Sequence, residues 1–220
     1  MVEGFFLRTL IIANGELTTT AADLRTGHPA DRIIAVDGGY RHCLALGLDA
    51  DTLIGDLDSL SAAELTTTRR AAITLLPFPA EKDETDLELA LLHAVDLGAS
   101  EITVLAALGG RIDMTLANLA LLFHPALKDI SVEYWHNGQR IWLIQPPGGF
   151  IRGAIGDTVS LLPFHGEAEG IDTKNLVYPL HDEKLTLGPA RGVSNLLESE
   201  VASVSLESGA LLVVLTKGRA

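Results

Sequence analysis

The first 127 residues alternate between short apolar runs and segments with helical spacing, and this alternation restricts the fold more than any other feature. The apolar runs predict five strands, at 8–13, 32–36, 52–54, 73–76 and 102–108. The helical spacing predicts four intervening or following helices, at 40–46, 61–72, 83–97 and 113–123. Strands that alternate with helices predict a mainly parallel sheet with helices on both faces, an α/β fold.

The pattern changes after residue 130. Asn137-Gly138 separates two β-rich runs and indicates a hairpin, and the glycine- and proline-rich segment 145–150 then interrupts the chain. Four further short runs predict strands, at 157–162, 176–178, 201–206 and 210–215. We therefore expect an α/β domain over residues 1–130, followed by a small all-β sandwich domain over residues 131–220.

The charge of the chain restricts its partners. The 220 residues carry a formal net charge of −13, which disfavours binding to nucleic acid or to an anionic membrane and suits a cationic ligand or a metal-bound anion. No apolar run approaches the length needed to cross a membrane, and we expect no secretion signal. The single cysteine, Cys43, is expected in the core, and we expect a cytoplasmic protein.

Aspartates follow two of the predicted strands. Asp37 follows the second strand, ahead of Gly38-Gly39, and Asp56 and Asp58 follow the third. Residues two apart in an extended chain point the same way, so these two carboxylates can share Mg²⁺ together with phosphate oxygens. The alternative is an aspartate-rich loop in which the carboxylates cap their own backbone.

Two further strand-to-helix junctions carry charged residues. Lys82, Asp83 and Asp86 surround the predicted start of the third helix, where two acids three apart lie on one face and a lysine can hold a phosphate. Gly109-Gly110 precede Arg111, a residue suited to phosphate, and Asp113 begins the next helix. The alternative in each place is an ordinary helix start, with Asp83 or Asp113 as the cap.

The three strand-to-helix junctions together indicate a particular kind of site more specifically than any one of them does. In open α/β sheets ligands bind at the carboxyl ends of the strands, and all three junctions are predicted at that edge. Several carboxylates with a lysine and an arginine indicate a site for a metal and a polyphosphate. The chain has neither a Walker A sequence nor a G-x-G-x-x-G sequence.

Six stretches of the sequence resemble, in order, those of bacterial thiamine pyrophosphokinases. They are "AVDGG" (35–39), "IGDLDS" (54–59), "EKDETDLELAL" (81–91), "GGRIDMTLAN" (109–118), "GDTVSLLPF" (156–164) and "RGVSN" (191–195). The resemblance implies an ATP-binding α/β domain and a β-sandwich that helps to bind thiamine. It also implies transfer of a diphosphoryl group from Mg-ATP to the thiamine hydroxyl, in a homodimer with active sites between subunits.

The resemblance also implies roles for particular residues. Asp56, Asp58 and Asp86 would bind the metal and, with Asp113 at the thiamine hydroxyl, form the catalytic set. Ser194 and Asn195 would contact thiamine. ATP would be bound by Asp37, Gly38, Gly39, Lys82, Asp83 and Arg111.

Two positions depart from the family pattern. Met114 stands where relatives often have histidine or glutamine, and Leu196 and Leu197 stand where an aromatic residue often covers the thiamine ring. Trp142 or Tyr178 could supply that ring instead. Two alternatives therefore remain: another D-x-D metal-dependent phosphotransferase, or a non-catalytic sensor that binds nucleotide and thiamine.

Overall fold

The protein is described here from a computed structural model, which describes residues 6–25, 29–58, 60–70 and 72–219. The chain forms two compact units, residues 1–137 and 138–220. The division falls later than the boundary expected after residue 130, because Ser131–His136 is a strand that pairs in parallel with a strand of the first unit. The turn after it contains Asn137 and Gly138 with φ of 49° and 73°, the left-handed values that a tight hairpin turn uses.

Among its described residues, the first unit contains a six-stranded sheet and five helices. A single 3-10 turn, Pro125–Leu127, follows the last helix. The helices are α1 Ala21–Arg25, α2 Gly39–Leu46, α3 Ala62–Arg70, α4 Asp86–Asp96 and α5 Ile112–Leu121. The strands are β1 Leu7–Ile12, β2 Arg32–Val36, β3 Thr52–Gly55, β4 Thr74–Pro77, β5 Ala99–Leu105 and β6 Ser131–His136.

All neighbouring strands of this sheet run parallel, in the order β6-β5-β1-β2-β3-β4. The α/β prediction is confirmed. The core on one side of the sheet includes Leu53, Tyr40 and Cys43, and Cys43 is fully buried as expected. Because every strand points the same way, every carboxyl end lies at one edge of the sheet. That edge is where the predicted site residues were expected.

Two of the differences between predicted and observed helix starts change the position of a site residue. α4 begins at Asp86 rather than at Asp83, because Thr85 is the N-cap and its hydroxyl accepts from the Glu88 N–H at 3.2 Å. Asp83 and Asp86 therefore do not share a helix face. α5 begins at Ile112 with Arg111 at the N-cap position, so Asp113 lies inside the first turn rather than capping it.

Over residues 138–219, the second unit contains eight strands in two antiparallel sheets. One sheet has the order β12-β9-β14-β7 and the other β11-β10-β13-β8. The strands are β7 Gln139–Ile144, β8 Gly148–Arg152, β9 Thr158–Leu162, β10 Ala168–Lys174, β11 Glu183–Leu185, β12 Asn195–Leu196, β13 Val201–Ser205 and β14 Leu211–Thr216.

Side chains from both sheets form a single apolar core, which includes Ile151, Leu161, Ile171 and Val213. The predicted β-sandwich is therefore confirmed. The segment predicted as a break contains the start of β8, because Gly148 has no Cβ and can lie against the Val204 carbonyl of β13.

The strand predicted at 176–178 is instead one isolated bridge between Leu176 and Leu197. Among the described residues, no helix is long and apolar enough to span a membrane.

Candidate active site

Asp56 and Asp58 lie directly after β3 and face each other. The Leu57 backbone between them has φ of 61°, so the chain turns there and is not extended as the sequence analysis assumed. The turn brings the carboxyl groups together: the Asp58 N–H donates to Asp56 Oδ1 at 3.0 Å, and the two side chains share a hydrogen bond. That hydrogen bond and the charge of Asp56 raise the pKa of Asp58. The backbone-capping alternative is thus partly correct, but the capping leaves two acids in contact.

Asp37, at the end of β2, is the most perturbed acid of this edge. Its backbone is left-handed, with φ of 47°, and its Oδ1 is buried and has no hydrogen-bond partner in the part of the chain that the structure describes. Burial first, and then the charge and hydrogen bond of Asp86, raise the pKa of Asp37 to about 7, although the Leu57 N–H bond opposes this. The raised pKa favours the protonated form of Asp37, which can donate to Asp86.

Gly55 makes the position of Asp37 possible, and the sequence analysis did not identify it. A Cβ on Gly55 would lie 1.7 Å from Asp37 Oδ1, and the Gly55 backbone has φ of 143°. Only glycine adopts this conformation easily and leaves room for the carboxyl group. Glycine immediately before an aspartate pair at a strand end was the available sequence signal.

Asp86 and Lys82 form an ion pair at the start of α4. Lys82 Nζ lies 2.9 Å from Asp86 Oδ1, in contact but without the angles of a hydrogen bond, and donates to the Pro79 carbonyl at 2.9 Å. The Lys82 side chain is only 13% exposed. An ammonium group has three N–H donors, so at least one remains for a ligand. Asp83 is exposed and precedes the helix.

Arg111 and Asp113 form a second pair at the start of α5. Arg111 Nε donates to Asp113 Oδ1 at 3.1 Å, and Nη2 donates to Oδ2, so the contact is bidentate. Both side chains are well exposed, at 74% and 65%. The guanidinium group lowers the pKa of Asp113, and the Met114 N–H bond lowers it further.

Gly38 and Gly39 are buried and serve close packing, not flexibility. A Cβ on Gly38 would meet Asn14 Oδ1 at 2.2 Å, and a Cβ on Gly39 would meet the Ile12 carbonyl at 2.1 Å. These glycines allow the start of α2 to lie directly against the end of β1. The first turn of α2 is therefore brought to the same edge as Asp37.

The thiamine residues predicted from the resemblance lie in the second unit. Ser194 is exposed, with φ of 58°. Asn195 is buried, and its amide is used internally: Oδ1 accepts from the Tyr178 and Leu196 N–H groups at 3.0 and 2.9 Å, and Nδ2 donates to the Tyr178 carbonyl at 2.7 Å. Asn195 therefore fixes the backbone of Tyr178, whose side chain is 59% exposed.

The carboxylates at the first unit's edge are suited to a cation. Asp37, Asp56, Asp58 and Asp86 interact electrostatically, and Asp86 Oδ1 is paired with the Lys82 ammonium group. Four interacting carboxylates carry more negative charge than one ammonium group neutralises, and such an excess favours a hard divalent ion. Within the described ranges, no three acidic, histidine or cysteine side chains already converge into a complete ligand set.

Comparisons with known proteins match both units of the chain to one family. The family model "Thiamin pyrophosphokinase, catalytic domain" matches residues 26–134, and "Thiamin pyrophosphokinase, vitamin B1 binding domain" matches residues 150–211. A Bacillus subtilis protein named thiamine pyrophosphokinase is 29% identical over 212 residues, covering 94% of this chain and 98% of its own length.

Solved structures agree with the sequence matches. The crystal structure of a thiamine pyrophosphokinase from Bacillus subtilis has a TM-score of 0.84 and 27% identity, covering 96% of this chain and 99% of its own. A thiamin pyrophosphokinase family protein from Enterococcus faecalis has a TM-score of 0.82 and 28% identity, with the same coverage.

Proposed function

The chain belongs to the thiamine pyrophosphokinase family, and on that premise we propose that it transfers a diphosphoryl group from ATP to the hydroxyl of thiamine, giving thiamine diphosphate and AMP. The observation that carries the proposal is the group of four carboxylates, Asp37, Asp56, Asp58 and Asp86, that interact at the edge of a parallel sheet beside Lys82. The matches to both family models favour this kinase over a different D-x-D phosphotransferase or a sensor.

We assign the metal to Asp56, Asp58 and Asp86. Their fit rests on two observations. The Asp58 N–H donates to Asp56 Oδ1, and the hydrogen bond and charge of Asp56, with the charge of Asp86, raise the pKa of Asp58. Both indicate acidic groups gathered at one place. Bound Mg²⁺ would neutralise phosphate charge and orient the polyphosphate. These three aspartates would hold the ion, and the residues around them would bind the nucleotide.

Lys82 and Arg111 are assigned to the phosphates of ATP. Lys82 is fixed by Asp86 and Pro79 and presents its remaining N–H as a compact point charge. Arg111 is exposed and can exchange Asp113 for a phosphate with the same bidentate geometry. Asp83 is assigned to the nucleotide as well, together with Asp37 and the first turn of α2 at Gly38 and Gly39.

Asp113 is assigned to the thiamine hydroxyl, as the group that orients it and accepts its proton. While Arg111 is bound to Asp113, the lowered pKa makes the carboxylate a weak base. A phosphate that draws Arg111 away would raise the basicity of Asp113 as the nucleotide binds. Binding of ATP would in this way prepare the acceptor for the hydroxyl proton.

Thiamine recognition is assigned to Ser194 and Asn195. Because the Asn195 amide is occupied by the Tyr178 backbone, Asn195 acts on thiamine through Tyr178, while the Ser194 hydroxyl is exposed and free to contact the ligand directly. An exposed tyrosine ring can cover a cationic heteroaromatic ring. Tyr178 is thus our candidate for the aromatic side chain that the positions after Asn195 lack.

We propose a cytoplasmic homodimer with active sites between subunits, and no nucleic-acid partner. Support for the dimer comes from α5, which exposes Ile112 at 73% and Leu116 at 50%, together with Ala117 and Ala120 on the same side. The net charge of −13 means that two copies of the chain repel each other wherever their acidic side chains meet. The exposed face of α5 carries a single acidic residue, Asp113, so this repulsion is small there. We therefore assign this face to the subunit interface.

The reaction is tested by measuring AMP formation with and without thiamine, at saturating MgATP. We expect AMP and thiamine diphosphate in equal amounts, and no AMP when thiamine is omitted. Asp58→Asn should lose most turnover without unfolding, because it removes a metal charge from an exposed position. Nucleotide binding without turnover in the wild-type protein would favour the sensor, and phosphate release without thiamine would favour another phosphotransferase.

A further inference from the structure

The loop between β5 and α5, residues 106–111, is held by hydrogen bonds to the four consecutive carbonyl groups of residues 105–108. The carbonyl oxygens of Leu105, Ala106 and Leu108 accept at 2.9, 2.7 and 3.3 Å from backbone N–H groups in the segment 13–16. The remaining carbonyl, that of Ala107, accepts from Asn118 Nδ2 at 2.6 Å. The segment after β1 therefore binds three of these four carbonyl groups, and a side chain from α5 binds the fourth.

Asn118 is fixed on both sides. It is 6% exposed and is the buried residue of α5, and its own backbone carbonyl accepts from the Tyr134 hydroxyl at 2.9 Å. Tyr134 is fully buried in β6. The side chain of Asn118 therefore ties the loop to α5, and the Tyr134 contact ties α5 to β6.

An asparagine is a costly residue for this position if packing is its only role. Asn118 Oδ1 is buried and has no hydrogen-bond partner among the residues that the structure describes, and an unsatisfied buried carbonyl lowers stability. An apolar side chain of similar volume would avoid that cost and still fill the space. The contact that only the amide can make is the donation to Ala107.

We propose that Asn118 is a positioning residue, whose amide holds the Ala107 carbonyl so that the loop 106–111 presents Arg111 to the polyphosphate of the nucleotide. The hydrogen bonds of Arg111 go to Asp113, which is only two residues away and belongs to the same segment. The location of the Arg111 guanidinium group therefore depends on the backbone of the loop. That backbone is left-handed at Ala106, Gly109 and Gly110, with φ of 53°, 87° and 69°. The loop has three left-handed residues to maintain, and the carbonyl that Asn118 holds lies between the first of them and the two glycines.

This inference rests on the proposed use of Arg111 for phosphate, and its test uses binding alone, so that it can be separated from the reaction. Calorimetric titration compares MgATP with adenosine, which lacks the phosphates. Asn118→Ala should weaken MgATP binding about tenfold or more, since small misplacements of a binding group are costly, and leave adenosine binding within about twofold. Asn118→Leu, which fills the space with an apolar side chain and loses the donor, should behave alike and serves if the alanine variant fails to fold.

A double-mutant cycle and a matched control complete the test. In an Arg111→Ala background, Asn118→Ala should add less than about a twofold loss of MgATP affinity, because the positioned group is already gone. Tyr134→Phe removes the bond on the other side of Asn118 and should lower the melting temperature with MgATP affinity unchanged. Additive losses in the cycle, equal losses for adenosine, or the same loss in Tyr134→Phe would overturn the proposal. Absence of thiamine turnover in the wild type would instead count against the proposed reaction alone.

Discussion

At the residue scale, Asp37 gives the metal-free protein a definite pH dependence. Its folded-state pKa of about 7 lies above the ordinary value of 3.8, so the folded chain keeps a proton that the unfolded chain releases. Stability should therefore fall as pH rises from about 4 to 7 and level off above that. Asp37→Asn should remove this part of the slope in thermal unfolding with EDTA, and Asp129→Asn, an exposed acid elsewhere, should keep it. An unchanged slope in Asp37→Asn would refute the assignment.

At the scale of an element, the Asn195 amide should matter for thiamine and not for ATP. Asn195→Ala removes the hydrogen bonds that hold the Tyr178 backbone beside β12. Loss of such buried hydrogen bonds lowers the free energy of unfolding by about 1–3 kcal/mol. We expect weaker thiamine binding and nearly unchanged MgATP binding by calorimetry. Tyr178→Leu should weaken thiamine binding comparably, whereas Tyr178→Phe, which keeps the ring, should not. If both ligands weaken equally, or thiamine affinity does not change, this segment is outside the site.

At the scale of the whole molecule, the exposed face of α5 should determine the oligomeric state. Leu116→Glu places a charge in the proposed interface and should shift the protein from dimer to monomer in sedimentation velocity. Leu44→Glu is the matched control, because Leu44 is 53% exposed on α2 and outside that face. A Leu116→Glu variant that stays dimeric, or a control that dissociates equally, would exclude α5 from the interface.

The pattern of the sequence predicted the fold well, because period and order are local signals. Strand–helix alternation was enough for the parallel sheet, and β2 was predicted at its observed bounds, Arg32–Val36. The start of α4 was missed because several capping residues stand in a row, and only the geometry shows that Thr85 makes the bond. β10 was missed because its residues, Ala168–Lys174, are largely polar or small.

The candidate site was predictable as a set of residues but not as an electrostatic arrangement. The strand ends brought Asp37, Asp56 and Asp58 to one edge, as expected from their positions. The raised pKa of Asp37 depends on its burial, on the space left by Gly55 and on the approach of Asp86 from another element. The sequence does not encode such distances in any short pattern. The same holds for Asn195, whose role follows from a contact with a residue 17 positions away.

The transfer of two phosphoryl groups in one piece is the central claim, and ATP labelled separately at the β- and γ-phosphorus tests it most directly. With thiamine present, the account predicts that both labels appear in thiamine diphosphate, in a one-to-one ratio, and that unlabelled AMP is the other product. Transfer of the γ label alone, with ADP as the second product, would contradict it.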